Sequence, residues 1–221
     1  MTHLCQLASD WRGTTPIGGM MFEQKFDGWR ALRFHGIDGV ARLFTRNGMI
    51  LNGCAHIERR LAAIEEAYGE RLMIDGELVV DGTLEATKRW AETGWRAGGD
   101  RGVFHAFDVV PFSAWQRGGW DEPLVKRKAL LEALIKASEP VSDGWTWPAG
   151  SKGAPTPIAV RLVKDGWATD ADDVLDEARR VWASAGEGIM LKDAEAPYRR
   201  TRNDAWQKVK RENYTKWRNA A

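Results

Sequence analysis

Strand-like and helix-like segments follow one another along this sequence in an irregular order. Alternating apolar and polar residues between positions 20 and 50 indicate strands joined by tight turns. The same reading predicts strands at residues 71–80, 103–110, 188–192 and 206–210, and helices at residues 56–68, 83–93, 124–138 and 170–183. Because no regular βαβ alternation runs through this order, we predict an α+β fold in which antiparallel β-sheets are flanked by helices.

The 221 residues are enough for one substantial core or two small lobes, and we expect a single domain over residues 1–221. In the first predicted helix Ile57, Leu61 and Ile64 fall on one face and are candidate core residues. Two loops are predicted, a glycine-rich one at residues 94–102 and a proline-, glycine- and serine-rich one at residues 140–157.

The composition, 43% hydrophobic and 29% charged, is ordinary for a soluble globular protein. No apolar run is long enough to span a membrane, and the N-terminus lacks the basic and then apolar pattern of a secretory signal. The two cysteines, Cys5 and Cys54, have no metal-ligand spacing, and a disulfide scaffold is not expected. A reducing, cytoplasmic location fits these features best.

Six short segments carry charged residues inside or beside apolar strands, where a charge is costly unless it is paired or functional. They lie at residues 23–30, 44–48, 74–78, 104–110, 187–192 and 206–210. In the first, Lys25 precedes an Asp-Gly turn that can approach a phosphate closely. This match alone is weak, because it occurs by chance in roughly a few per cent of chains of this length, and a hairpin turn with a salt bridge is the better explanation of the isolated motif.

The other segments have structural explanations too. Residues 46–48 suit a hairpin tip, residues 75–77 a tight turn, and Phe107 a core position. Lys208 and Lys210 alternate and should face one side of a strand, where buried lysines would need an anion such as a nucleotide phosphate. Residues 198–221 contain eight Lys or Arg against two acids, which indicates either a phosphate-contacting surface or a solvated tail.

In this order the six segments resemble the motifs of the covalent nucleotidyltransferases: ATP-dependent DNA ligases, RNA ligases and mRNA capping enzymes. The resemblance is carried by Lys-x-Asp-Gly-x-Arg at residues 25–30, Thr-Arg-Asn-Gly at 45–48, Asp-Gly-Glu-Leu at 75–78, Phe-Asp at 107–108, Glu-Gly-Ile-Met-Leu-Lys at 187–192 and Trp-Gln-Lys-Val-Lys at 206–210. Each motif is weak alone, but the ordered set is very hard to obtain by chance. Its wording is most similar to DNA ligases of phage and bacteria, and it implies an adenylation fold with a central nucleotide cleft.

The resemblance implies that Lys25 attacks the α-phosphate of ATP, releases pyrophosphate and forms a lysyl-AMP intermediate. AMP would then pass to the 5′-phosphate at a nick, and the 3′-hydroxyl would displace AMP and seal the strand. Lys25 must attack as a neutral amine, and positive charge around it would favour that form. The same charge would stabilise the phosphoryl group in the transition state.

The other candidate site residues follow from the same resemblance. Arg30 and Glu77 would contact the ribose, Phe107 would stack on adenine, and Lys192, Lys208 and Lys210 would bind the nucleotide beside Lys25. Arg46 and Arg202 would contact phosphates of nucleotide or nick, and Glu77 and Glu187 would hold Mg²⁺ or Mn²⁺. Glu23 would lie near the adenine amino group, where an acceptor favours ATP over GTP.

The expected partner is nicked double-stranded DNA, with no membrane. In the resembling ligases a small OB-fold barrel follows the last motif, whereas eleven residues follow Lys210 here. We therefore expect that barrel to be absent from this chain, either because the chain is truncated or because it is a minimal natural protein in which the barrel is missing or supplied by a partner. The alternatives are an RNA ligase, a GTP-dependent capping enzyme, a non-catalytic nucleic-acid-binding module and a structural domain. Retention of Lys25 and of the acidic residues argues against the non-catalytic module, and the lysines that interrupt apolar strands argue against a structural domain.

Overall fold

The computed structural model describes residues 3–98, 100–139 and 159–218. In chain order the strands are β1 (Leu7–Asp10), β2 (Met20–Lys25), β3 (Trp29–His35), β4 (Ala41–Thr45), β5 (Leu72–Val79), β6 (Val103–Pro111), β7 (Gly119–Trp120), β8 (Val160–Leu162), β9 (Asp165–Ala168), β10 (Gly188–Lys192), β11 (Tyr198–Arg199) and β12 (Arg202–Lys210). The helices are α1 (Ala55–Tyr68), α2 (Leu84–Glu92), α3 (Phe112–Gln116), α4 (Leu124–Ala137), α5 (Ala171–Ala183) and α6 (Arg211–Arg218), with a 3₁₀ turn at Gly94–Ala97.

Two five-stranded sheets organise these elements. The first sheet has the order β1-β12-β10-β2-β9 and the second has the order β4-β3-β5-β6-β8, while β7 and β11 form a separate two-stranded ribbon. Most strand pairs are antiparallel, and β1–β12 and β6–β8 are parallel. The predicted α+β class with antiparallel sheets is therefore confirmed.

The described residues form three main hydrophobic cores. One lies where α1 and α4 cover the second sheet, and it contains the predicted core residues Ile57, Leu61 and Ile64, each fully buried. Another lies between the two sheets, where Trp206 from β12 packs with Leu32 from β3. The third lies under α5, against β9 and β10. The two sheets are thus held face to face, with a helix layer outside each.

Local sequence signals explain where several helices begin and end. Asp170 caps α5, because its side chain accepts a hydrogen bond of 2.9 Å from the backbone of Asp173. Thr83 caps α2 in the same way, at 3.1 Å from the amide of Ala86. Gly69 ends α1 in a left-handed conformation that glycine adopts without strain.

The structure corrects four parts of the sequence reading. Residues 94–97 form a 3₁₀ turn where a loop was expected, and β12 begins four residues earlier than predicted. Arg33 interrupts the expected alternation because its buried guanidinium donates to the carboxylate of Glu65, at 3.0 Å for one of the two bonds. The short strands β1, β7, β8, β9 and β11 were not predicted. The predicted loop at 140–157 lies outside the described residues.

Among the described residues, none of the helices is both long and apolar enough to cross a lipid bilayer.

Candidate active site

A cleft of about 600 Å³ opens between the two sheets. Ten of the predicted site residues line it: Glu23, Lys25, Arg30, Arg46, Glu77, Phe107, Lys192, Arg202, Lys208 and Lys210. The eleventh, Glu187, is ion-paired with two of these lysines. The structure therefore brings the whole predicted set to one place, although not all of its members have the surroundings that the sequence indicated.

Strand register explains why so many of these side chains share one wall. Strands β2, β10 and β12 are adjacent, and residues that are paired across them point to the same face. The resulting rows are Lys25, Gly188, Lys210; then Glu23, Met190, Lys208; then Met21, Lys192, Trp206. Lys208 and Lys210 thus face the same side, as predicted, but they are partly exposed, at 32% and 26%.

The first row forms the cationic end of the cleft. Both Lys25 and Lys210 donate to the carboxylate of Glu187, and the Lys210 contact measures 2.5 Å. Burial favours the protonated form of Glu187, but the two lysines overcome it and hold the pKa of that carboxyl below its usual value. Burial acts in the opposite sense on Lys210, and the pairing with Glu187 leaves the Lys210 pKa raised.

Gly188 lies between the two lysines in this row, so no side chain stands between them. A Cβ here would overlap the backbone oxygen of Val209, and the φ angle of +151° is one that other residues rarely adopt. Glycine is therefore required here by the close approach of β12 to β10.

Glu77 faces this end from the second sheet. Burial raises its pKa to about 7, with Glu187 and Asp75 acting in the same direction and Arg30 and Lys25 opposing. The carboxyl is thus balanced between its neutral and charged forms near neutral pH, and it lies within electrostatic reach of both Lys25 and Glu187.

Arg30 also belongs to the second sheet, and most of its hydrogen-bonding capacity is used within the protein. Its Nε and one terminal nitrogen donate to the two oxygens of Asp75, each at 2.6 Å. Asp75 is fully buried and also accepts a 2.7 Å hydrogen bond from the hydroxyl of Tyr198. Asp75 is therefore a structural partner of Arg30, and a ribose contact would have to come from the remaining guanidinium N–H groups.

Phe107 owes its orientation to a β-bulge. Asp75 pairs with Asp108 and Gly76 pairs with Ala106, which leaves Phe107 as the extra residue of β6. The side-chain cations of Arg30 and Lys192 lie 4.6 Å and 4.4 Å from the centre of its ring. Trp206 meets the same ring edge-on at 5.9 Å between centroids. This group forms the aromatic end of the cleft.

Lys192 lies at the aromatic end, four residues along β10 from the row of Lys25. It is buried, and its ammonium donates to Glu23 at 2.5 Å. Burial lowers the pKa of Lys192 despite the opposing effect of Glu23. We expected Lys192 to lie beside Lys25, but the structure places it at the opposite end of the cleft.

Sequence reasoning missed two buried cations of α4. Arg127 makes a two-pronged ion pair with Asp108, both contacts at 2.8 Å and both side chains fully buried. Lys128 reaches Glu23 at 2.7 Å. The sequence did contain a signal, because Arg127 and Lys128 occupy helix positions that lie on the same face as Leu124 and Leu131. An analysis that assigns only apolar residues to the buried face of a helix overlooks them.

The rim of the cleft carries the remaining predicted cations. Arg46 is exposed, and within the described part of the chain it has no hydrogen bond or ion pair. Arg202 donates to the backbone oxygen of Ala8, and Lys208 lies 3.2 Å from Asp10. All three cations are near enough to solvent to meet a polyanion.

The carboxylates near Lys25 are too few to form a metal site made of protein ligands alone, but they could hold a magnesium ion together with substrate phosphates. In residues 3–98, 100–139 and 159–218, no group of three or more His, Cys, Asp or Glu side chains is arranged to hold a metal. Mg²⁺ is commonly bound by one or two carboxylates together with substrate phosphates and water. Glu77 and Glu187 provide such a pair beside Lys25.

The family model described as "ATP dependent DNA ligase domain" matches residues 14–210 of this chain. The chain belongs to the ATP-dependent DNA ligase domain family. The matched range contains every predicted site residue, and the ordered motifs and the cleft agree with it.

Relatives and solved structures agree with this assignment. A probable DNA ligase of Streptomyces coelicolor is 29% identical over 88% of this chain, and a DNA ligase of Methanothermobacter thermautotrophicus is 27% identical over 88%. The ligase-domain chain covers 35% and 33% of those proteins, about a third of their length. The bacteriophage T7 ligase solved with ATP shares the fold, with a TM-score of 0.69 at 16% identity over 94% of this chain and 68% of its own. A Lig E DNA ligase structure is similar, with a TM-score of 0.63 at 23% identity over 94% and 68%.

Proposed function

We propose that this domain performs the adenylation chemistry of a DNA ligase, with Lys25 as the nucleophile. The observation that carries the proposal is the position of Lys25, which shares one end of the cleft with Lys210, Glu187 and Glu77 while an aromatic pocket lies at the other end. This spacing suits a nucleotide whose phosphates face Lys25 and whose base enters beside Phe107.

In the proposed reaction the neutral amine of Lys25 attacks the α-phosphorus of ATP. A P–N bond forms, the bond from the α-phosphorus to the bridging oxygen breaks, and pyrophosphate departs with that electron pair. The lysine must first lose its ammonium proton and its contact with Glu187. Lys210 remains beside Glu187 and would stabilise the negative charge of the phosphoryl group. Mg²⁺ or Mn²⁺ held by Glu77 and Glu187 would supply additional charge stabilisation when bound.

The later steps are proposed from the family. AMP passes from Lys25 to the 5′-phosphate of a nick in double-stranded DNA, and the 3′-hydroxyl then displaces AMP. Arg46 and Arg202, on the rim, are the proposed phosphate contacts. The resembling ligases also use an OB-fold barrel. We propose that the complete sealing reaction requires such a barrel, either on the same polypeptide or on a partner.

The test is the intact mass of the protein after incubation with ATP and Mg²⁺. The wild-type chain should gain one AMP that is stable to base and labile to acid, as a phosphoramidate is, and Lys25→Ala should gain none. Lys126→Met, on the exposed side of α4, is the matched control and should be adenylated like the wild type. An adduct mapped to another lysine would overturn the assignment of the nucleophile.

A further inference from the structure

Glu23 occupies an unusual position in the cleft wall. It lines the cleft but only 2% of its surface is exposed, and each of its two oxygens accepts from a different lysine. Lys128 lies 2.7 Å from Oε1 and Lys192 lies 2.5 Å from Oε2. A buried carboxylate stays ionised only when such partners offset the cost of removing it from water.

The two lysines have different surroundings. Lys192 lines the cleft, and besides Glu23 it contacts the rings of Phe107 and Trp206 at 4.4 Å and 4.2 Å. It therefore faces the space where a ligand would lie.

Lys128 lies behind Glu23 and has three acceptors for its three N–H groups. They are Glu23 Oε1, the backbone oxygen of Val163 at 2.6 Å and Asp165 at 3.1 Å. Burial disfavours the charge on Lys128, but the two carboxylates leave the Lys128 pKa raised. This ammonium is therefore charged and has no donor left for a ligand.

The contacts of Lys128 also join separate elements. The residue belongs to α4, which packs on β6 of the second sheet, whereas Glu23 and Asp165 belong to β2 and β9 of the first. The position of the Glu23 carboxylate thus depends on a helix that lies outside the cleft.

We propose that Lys128 is a positioning residue for base selection, because its ammonium holds the Glu23 side chain as a fixed hydrogen-bond acceptor at the base end of the cleft. The inference rests on the proposed adenylation function. The ligand feature that Glu23 would select is an exocyclic amino group, as on adenine, and a base with a carbonyl at that place would be repelled. Lys128→Met removes the positive charge but keeps a side chain of similar length. Glu23 then retains only Lys192 as an ion-pair partner.

The test compares the steady-state constants of Lys128→Met for ATP–pyrophosphate and GTP–pyrophosphate exchange, in which formation and reversal of the lysyl-nucleotide bond turn over repeatedly. We expect the KM for ATP to rise about tenfold or more, as the weakening of one hydrogen bond to a charged group predicts, while kcat changes less than about twofold. The KM for GTP should stay near its wild-type value, so selectivity for ATP falls. Lys128→Arg should recover part of that selectivity, and Lys126→Met, the same substitution at an exposed position of α4, should leave it unchanged.

Equal changes in both KM values, or a loss confined to kcat, would show that Lys128 is only structural and would overturn the proposal. If Lys128→Met does not fold, Lys128→Gln decides between the same outcomes, because it removes the positive charge that pairs with Glu23 but keeps a polar side chain at this buried position. Equilibrium binding of ATP and GTP to Lys25→Ala and to Lys25→Ala/Lys128→Met needs no covalent step. It therefore separates failure of this inference from failure of the proposed adenylation.

Discussion

For Glu77, the protonation state that the proposed function requires differs from the one that stabilises the fold. Its pKa is raised to about 7, mainly by burial, so the folded state favours the neutral acid. That preference stabilises the fold at pH below the ordinary Glu pKa and is lost as pH rises through about 7. The proposed role toward metal or ribose needs the ionised form, which is the less stable one.

We therefore expect Glu77→Gln to stabilise the protein increasingly as pH rises, by about 1–3 kcal/mol above pH 7 and by little near pH 4.5. Urea unfolding at several pH values, without divalent metal, measures this difference. Adenylation by the same variant should be severely reduced, and wild-type adenylation should fall as pH drops below about 7. A stability difference that does not vary with pH would mean that Glu77 titrates normally.

Helix α4 places two of its charged residues, Arg127 and Lys128, in the interior of the protein. Arg127 pairs with Asp108 of β6 and also donates to the backbone oxygens of Glu122 and Ala196, at 2.6 Å and 2.9 Å. Ala196 follows β10, so one guanidinium links the second sheet to a connection from the first. Removing one member of such a pair leaves the other charge buried and unpaired.

Arg127→Met should consequently destabilise the domain by about 3–5 kcal/mol, because Asp108 would then be buried without a partner. Lys126→Met, on the exposed face of the same helix, should change stability by less than about 1 kcal/mol. Chemical denaturation compares the two variants. Equal stabilities for both variants would show that the buried pair makes no net contribution.

At the scale of the whole molecule, the charges of the cleft fall into a buried set and a rim. The buried set is paired within the protein, whereas Arg46 and Arg202 meet solvent at the edge. Rim cations that contact phosphates release counterions from DNA, so nick affinity should fall steeply with salt.

For nicked duplex DNA, Arg46→Ala and Arg202→Ala should each lower the slope of log affinity against log salt by about one. Arg89→Ala is the control, since Arg89 is an equally exposed arginine that pairs with Glu85 on α2 and does not line the cleft. Fluorescence anisotropy over a salt series gives the slopes. A slope that is unchanged in both rim variants would place the DNA elsewhere.

Much of this cleft could be predicted from the sequence because its ordered motifs resemble those of a known family and because strand periodicity is local. Lys25, Glu187 and Lys210 stand out where charges interrupt apolar strands, and the alternation of Lys208 and Lys210 sets their common face. The contribution of Lys128 could not be predicted in this way, since its partners Glu23 and Asp165 lie 105 and 37 positions away in the sequence. The bulge at Phe107 was hidden for the same reason, because a bulge is defined by the register of two strands.

The proposed nucleophile, Lys25, lies where the chain passes from one sheet to the other. Lys25 is the last residue of β2, and after the three residues Phe26, Asp27 and Gly28 the chain enters β3 of the opposite sheet. An AMP attached to Lys25 would be tethered covalently to one wall while its base and ribose rested against Phe107 and Glu77 of the other. The adduct would then link the two sheets, so the relative motion of the sheets would decrease when AMP is attached and increase when AMP leaves in each round of catalysis.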